Sequence, residues 1–316
     1  MNPSRLSLLL AAALGLSGCG GPPTLGLRPL STPADDPSHR HGSFVGSDGI
    51  SLFEQSWHPR GDARAVLVIH HGLKSHSGHY DALAERLVAR GFVVYAYDMR
   101  GHGRSAGPRA SLDRVDAVLD DLGIFMDRVR AREPGRPVFL LGHSVGGAMV
   151  TLFTLERRPA LAGLVLLAPA IRVDRAPIEA AATPLAAMLT PNAGLLVTPD
   201  EQYSRDPETV RAMGNDPLIY HPNGPARTAA TVTVAIERIW ARADTLDVPV
   251  LGAHGTDDRL TDPRGTAELI RRTRHADHTL LLYRGLVHDL LHEPEREQVT
   301  ADIERWLEAR IPATTP

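Results

Sequence analysis

Five apolar runs of strand length stand out along the chain, at 65–70, 137–141, 164–168, 248–253 and 279–283. Each is continuous rather than alternating, the pattern of a strand buried on both faces of a sheet. Around them lie longer stretches with helical spacing of apolar positions, at 80–90, 111–130, 147–156, 227–241, 264–274 and 294–311. Strands that alternate with helices predict a mostly parallel, doubly wound α/β sheet, because parallel neighbours need a crossover connection. One segment, from about 171 to 224, breaks this rhythm. Its first half, 180–189, is small and apolar and reads as a cap inserted over the sheet edge, against the plainer reading of a helix buried in bulk.

Composition narrows the class. The formal charge of −3, from 34 Lys and Arg against 37 Asp and Glu, offers no basic surface for nucleic acid, and 5% aromatic residues offer no platform for stacking bases. The N-terminus carries its own signal. Arg5 precedes an apolar run at 6–16 that leads into Leu16-Ser17-Gly18-Cys19. This is the layout of a secretory signal peptide over 1–18, too short to stay as a membrane-spanning helix. Its end resembles a bacterial lipobox, which makes Cys19 the lipidated first residue of the mature chain; an ordinary signal peptide with an incidental cysteine is the alternative. Cys19 is the only cysteine, so no intramolecular disulfide forms. Prolines at 22, 23, 29, 33 and 37 make 19–42 read as an extended tether, with the folded domain at 43–316. Acyl chains contribute about 0.8 kcal/mol per buried CH₂, which predicts a chain held on the bacterial cell envelope. Gly20, where an aspartate would signal inner-membrane retention, points to the outer membrane.

Candidate chemistry begins at Gly142-His143-Ser144-Val145-Gly146, directly after an apolar run and directly before a helical stretch. That context turns a common pentapeptide into a nucleophile elbow, a strained turn that exposes the serine Oγ. Without further parts it would be a glycine-flanked loop serine. The parts follow in the expected order of acid and then histidine, each after a later strand. Asp258 follows the run at 248–253, and His288 follows the last run. Asp257 and Asp262 are rivals for the acid, although Asp262 precedes Pro263 where it fits a helix N-cap. His292 lies four residues past His288, a spacing that can bind a metal, but no H-E-x-x-H accompanies it. Upstream, the run at 65–70 ends in His71-Gly72-Leu73, a turn whose Leu73 amide, with that of Val145, can form an oxyanion hole.

Together, His71-Gly72 with His76 and Tyr80, Tyr97-Asp98-x-x-Gly101-His102-Gly103-x-Ser105, the elbow, Asp258-Arg259-Leu260 and Gly285-x-x-His288 with Glu293-Pro294 resemble the monoglyceride lipase and lysophospholipase branch of the α/β-hydrolases. The resemblance runs from Gly49 to Trp306. It implies an α/β-hydrolase fold and hydrolysis of a single-chain lipid ester with Ser144 as nucleophile, His288 as base and Asp258 as its orienting acid, needing no metal or other cofactor. Many members read H-G-x-x-E-H-x-x-R-Y, whereas Ser75 and His79 stand here at the Glu and Arg positions. That departure bears on the head group of the substrate. The cap-end pattern, Ser204-Arg205-Asp206-Pro207 and Asp216-Pro217-Leu218, also matches. The same acyl-enzyme would serve an acyltransferase, and the same fold a general carboxylesterase or an aminopeptidase-like enzyme; a non-catalytic lipid carrier has no use for a complete serine, acid and histidine set.

Overall fold

Unbroken apolar strands can be buried only if both faces of the sheet are covered, and the computed structural model shows how. It describes residues 38–173 and 189–311. Eight strands form one sheet: β1 (His39–Val45), β2 (Ser51–Trp57), β3 (Ala65–His70), β4 (Phe92–Tyr97), β5 (Val138–His143), β6 (Gly163–Leu167), β9 (Val250–Gly255) and β10 (His278–Tyr283). Their order is β1-β2-β4-β3-β5-β6-β9-β10; β1 and β2 are antiparallel to each other, β2 is antiparallel to β4, and the remaining pairs are parallel. The mostly parallel, doubly wound sheet expected from the pattern is therefore present, extended by an antiparallel hairpin at one edge.

Side chains alternate between the faces, and each face has its own core. Val66 and Val68 of β3 join a cluster with Phe125 and Met126 of α2 (Val115–Arg132), Val150 of α3 (Ser144–Arg157) and Ile239 of α5 (Ala226–Trp240). Leu67 and Ile69 of the same strand join a second cluster with Leu83 and Leu87 of α1 (Asp81–Val88) and Ile303 and Leu307 of α7 (Arg296–Glu308). The helix α6 (Pro263–Arg272) begins at a capping aspartate, Asp262, with proline in its first turn. Among the described residues no helix is long and apolar enough to cross a membrane.

The structure moves several expected boundaries. The tether was expected to run to residue 42, yet β1 starts at His39, which pairs with Trp57 and stacks on its ring at 4.8 Å. Five of the seven β1 residues, 40–43 and Val45, are exposed, so this edge strand has no apolar run to announce it, and pairing with β2 alone makes it a strand. The signal peptide, Cys19 and most of the tether lie outside the described residues. The helix expected from 147 starts at Ser144, and that expected from 111 starts at Val115, after a buried turn in which Thr228 holds the Leu112 amide at 2.9 Å. Of the segment expected as a cap, 174–188 lies outside the described residues. The rest carries β7 (Gly194–Leu196), α4 (Pro207–Asn215) and β8 (Gly224–Pro225), with β7 and β8 paired antiparallel.

Two glycines test this packing. A Cβ at Gly163 on β6 would stand 2.5 Å from the Trp306 ring of α7, whereas one at Gly214 in α4 would meet nothing within 4 Å. Gly163→Ala should cost about 1–3 kcal/mol through overpacking, and Gly214→Ala should stabilise by about 0.5 kcal/mol through helix propensity. Urea denaturation of the two variants, read against the parent, gives both signs.

Candidate active site

No loop separates β5 from α3: the strand ends at His143 and the helix begins at Ser144. The chain reverses within one residue, and Ser144 adopts φ +54°. That left-handed conformation costs a non-glycine residue roughly 1–2 kcal/mol, so the surroundings must hold it. They do so by close approach at two glycines. A Cβ at Gly146 would lie 2.2 Å from the carbonyl oxygen of His71, and one at Gly142 would lie 2.4 Å from Val150 Cγ2. Gly142 lets α3 press against β5, and Gly146 lets it press against the turn that follows β3.

The residues brought together are Ser144, His288 and Asp258. Ser144 Oγ donates to His288 Nε2 at 2.8 Å, and His288 Nδ1 donates to Asp258 Oδ2 at 2.8 Å. Asp258 is fixed in turn: its Oδ1 accepts from the amides of Leu260 at 2.8 Å and Thr261 at 3.0 Å. Its Oδ2 also accepts from the Thr261 hydroxyl at 2.8 Å and from His254 Nε2 at 3.0 Å. Asp257, one residue away, is exposed and accepts from the Thr256 hydroxyl, while Asp262 caps α6. Both ring nitrogens of His288 are engaged, so the pair with His292 has no lone pair to share with an ion. His292 lies instead beside Asp289, with Nδ1 2.9 Å from its Oδ2.

Burial opposes charge on both members of the buried pair, and their mutual attraction overcomes it. Desolvation pushes the Asp258 carboxyl up, but the charge of His288 and the hydrogen bonds from His254 and His288 hold it well below the usual carboxylate range. Desolvation likewise pulls His288 down, and the Asp258 carboxylate, with a contribution from Asp289, raises it above 6.5.

The turn after β3 stands directly against Ser144, since a Cβ at Gly72 would be 3.2 Å from Ser144 Cβ. Leu73 and Val145 are both buried. The Val145 amide belongs to the first turn of α3, where backbone N–H groups have no intrahelical acceptor and the helix dipole favours negative charge. His71 holds the turn from below: its Nδ1 donates to the Gly72 carbonyl at 2.7 Å and its Nε2 accepts from the Met99 amide at 2.8 Å. A ring that donates at one nitrogen and accepts at the other must be neutral, and burial keeps its pKa well below 6.5. Ser144, Leu73, Lys74, Tyr203, Met213 and Asp289 line a narrow cleft. Lys74 Nζ closes one side by donating to Thr198 Oγ1 at 3.0 Å and to the His221 carbonyl at 3.4 Å. His254, Thr261 and Tyr203, whose ring meets the His288 imidazole edge-on at 5.5 Å, are the participants that sequence reasoning missed. His254 was visible as the polar end of an apolar run, but nothing in the sequence says that it turns back on Asp258.

An elbow at the end of a central parallel strand, with these partners on later loops, is the arrangement of an α/β-hydrolase. The family described as Serine aminopeptidase, S33, matches residues 61–295, and the chain belongs to it. Within it the chain is of the monoglyceride lipase type. It is 32% identical over 271 residues to a monoacylglycerol lipase of Mycolicibacterium smegmatis, covering 85% of this chain and 97% of that one. It is 32% identical over 287 residues to the human monoglyceride lipase, covering 89% and 95%. The solved structure of a monoacylglycerol lipase from Paleococcus ferrophilus superposes with a TM-score of 0.73 at 28% identity, over 82% of this chain and 99% of that one.

The hydrogen bond from His288 Nδ1 to Asp258 gives a direct test of the geometry. Such a proton resonates far downfield in a proton NMR spectrum. It should persist in Asp257→Asn and Asp262→Asn and disappear in Asp258→Asn; its loss in Asp257→Asn alone would reassign the acid.

Proposed function

We propose that this chain is a membrane-tethered serine esterase that hydrolyses single-chain lipid esters, monoacylglycerols or lysophospholipids, through an acyl-enzyme on Ser144. The observation that carries the reading is the hydrogen-bonded series Ser144, His288 and Asp258, with 2.8 Å at both links, in a chain similar to monoacylglycerol lipases. His288 Nε2 takes the proton as Ser144 Oγ attacks the ester carbonyl, and Asp258 steadies the imidazolium that results. The amides of Leu73 and Val145 receive the oxyanion. His288 returns the proton to the leaving alcohol, then activates water to release the fatty acid. Leu73, Met213 and Ile219 give the cleft apolar walls, which suit an acyl chain.

The family's description raises an aminopeptidase reading. Two carboxylates line the cleft, but Asp289 lies 2.9 Å from His292 Nδ1 and Asp200 sits in the field of Lys74, so a substrate amine would compete with cations already in place. A product assay that offers monoacylglycerols, lysophosphatidylcholine, short p-nitrophenyl esters and aminoacyl anilides side by side decides between the classes. Monoacylglycerol or lysolipid should be turned over best, and fatty acid rather than a transacylated product should form.

Ser144→Ala and His288→Ala should each lower kcat by about 10⁴-fold or more with the fold intact, because the set works as a unit. The free enzyme needs neutral His288 as base, and its pKa is raised above 6.5. The value of kcat/KM should therefore fall as pH drops through a single apparent pKa above 6.5 and level off on the alkaline side. A pH–rate profile checks this, and a midpoint below 6 would contradict it.

The same proposal places the protein on the bacterial envelope, in the outer membrane, through lipidated Cys19. Expressed in a bacterium, the full chain should partition with membranes and carry acyl mass on its mature N-terminus, and Cys19→Ser should lose both. A chain starting at residue 38 should be soluble and retain nearly full kcat/KM on a short ester. The advantage of the anchored form should grow with acyl length, as anchoring raises the effective concentration of a bilayer substrate. Equal solubility of the wild type and Cys19→Ser would leave a secreted or periplasmic esterase.

A further inference from the structure

Beside the catalytic cleft, a second hollow is lined by Gly78, His79, Thr209, Met213, Asp216 and His292. Two side chains of its wall, His79 and Asp216, converge with that of His76 behind them. His76 Nε2 lies 2.9 Å and His79 Nε2 lies 3.4 Å from the same oxygen, Oδ2 of Asp216. One ligand-capable atom from each residue falls within 4.8 Å of the others. We propose that His76, His79 and Asp216 form a binding site for a divalent transition-metal ion, Zn²⁺ foremost, separate from the catalytic residues and open to the hollow for a fourth ligand.

The donor set and its setting carry this. Two imidazoles and a carboxylate with one open position suit zinc and its neighbours rather than calcium or magnesium, which take oxygen. Bonds of about 2.0–2.1 Å in a tetrahedron put adjacent ligand atoms about 3.3 Å apart. The present separations from Oδ2, 2.9 and 3.4 Å, need adjustments of only a few tenths of an ångström, and the two imidazole nitrogens must draw together from within 4.8 Å. Outer partners orient two of the three ligands. The Leu218 amide donates to Asp216 Oδ1 at 2.8 Å and leaves Oδ2 turned to the imidazoles. Ser75 Oγ stands 2.8 Å from His79 Nδ1, where it can accept the ring proton that a metal-bound imidazole must carry there. Ser75 and His79 stand where the motif this chain resembles has Glu and Arg, and here they serve as the orienting residue and a ligand. His76 is less well prepared. Its Nδ1 accepts from the Gly78 amide at 3.1 Å, and an ion at Nε2 forces the proton onto Nδ1 and turns that contact into one between two donors. This cost puts the expected affinity in the micromolar range rather than that of a structural zinc site.

A bound ion would join the turn after β3 to the C-terminal end of α4, and so fix the segment that walls both hollows. The site does not depend on the esterase reading, and its test does not use turnover. Full-length Cys19→Ser protein, which has no thiol, is prepared without an affinity tag and titrated with Co²⁺, followed by Zn²⁺ competition. One equivalent should bind and give the intense visible absorption of tetrahedral cobalt, and Zn²⁺ should abolish the absorption and raise Tm. His79→Arg keeps a basic side chain there but cannot ligate, so it should weaken binding by at least about tenfold, as should Asp216→Asn; Ser75→Ala should weaken it by about tenfold. No saturable binding below about 1 mM ion overturns the proposal. So does unchanged affinity in His79→Arg, or transfer of the binding loss to His39→Ala and His41→Ala.

Discussion

The contact on which the site depends is one of backbone with backbone: Gly146 in the first turn of α3 against the carbonyl of His71, where even a methyl group would come within 2.2 Å. A helix and a strand-end turn pressed this closely leave the residue between strand and helix little choice. Ser144 is held at φ +54° with its hydroxyl toward His288. The strain at Ser144 is thus distributed over a rigid frame. Loosening any part would misplace all of it.

Around that frame, buried histidines act as struts. His71 ties the turn after β3 to the loop after β4 through Met99. His254 braces Asp258 at the same Oδ2 that meets His288, with its other nitrogen 2.7 Å from Thr266 Oγ1 in α6. Asp98 has a comparable part outside the reacting groups. It accepts from the Ser77 amide and hydroxyl and from the Arg104 amide, and so locks the loop after β4 to the turn that carries His76 and His79. The positions of the reacting groups are therefore set two residues deep, by groups that never meet the substrate.

Which of this could be read from the chain follows from where the information sits. Central strands such as β3 and β5 are legible because burial on both faces demands consecutive apolar residues, and the elbow is legible because its glycines are a local steric need. β1 is not, since its residues 40–43 face solvent and its partner is the only reason it is extended. β7 and β8, three and two residues long, carry no periodicity at all. Asp258 could be preferred over Asp257 by pattern, but only the fold shows the one turned to His288 and the other to solvent. His254, Thr261 and the cluster at Asp216 are products of tertiary folding, joining segments up to 140 residues apart.

The neutral histidines also set a limit on where such a protein can live. Burial lowers His102 and His143 to about 4 and His70 to about 3, from 6.5 in an unfolded chain. Neither ring nitrogen of His70 has a hydrogen-bond partner in the protein, so nothing there would receive an imidazolium. Between pH 6.5 and 4 the unfolded chain takes up protons that the native chain refuses, and stability falls steadily as pH drops. Each depressed histidine forfeits on the order of 3 kcal/mol once the acid limit is reached. Three of them together rival the entire 5–15 kcal/mol that holds a typical domain. The imidazoles that brace the site at neutral pH thus amount to an acid fuse: as pH falls from 6.5 towards 4 they draw down the stability of the fold while the Asp258 carboxylate is still charged, a loss that the raised pKa of His288 only partly offsets.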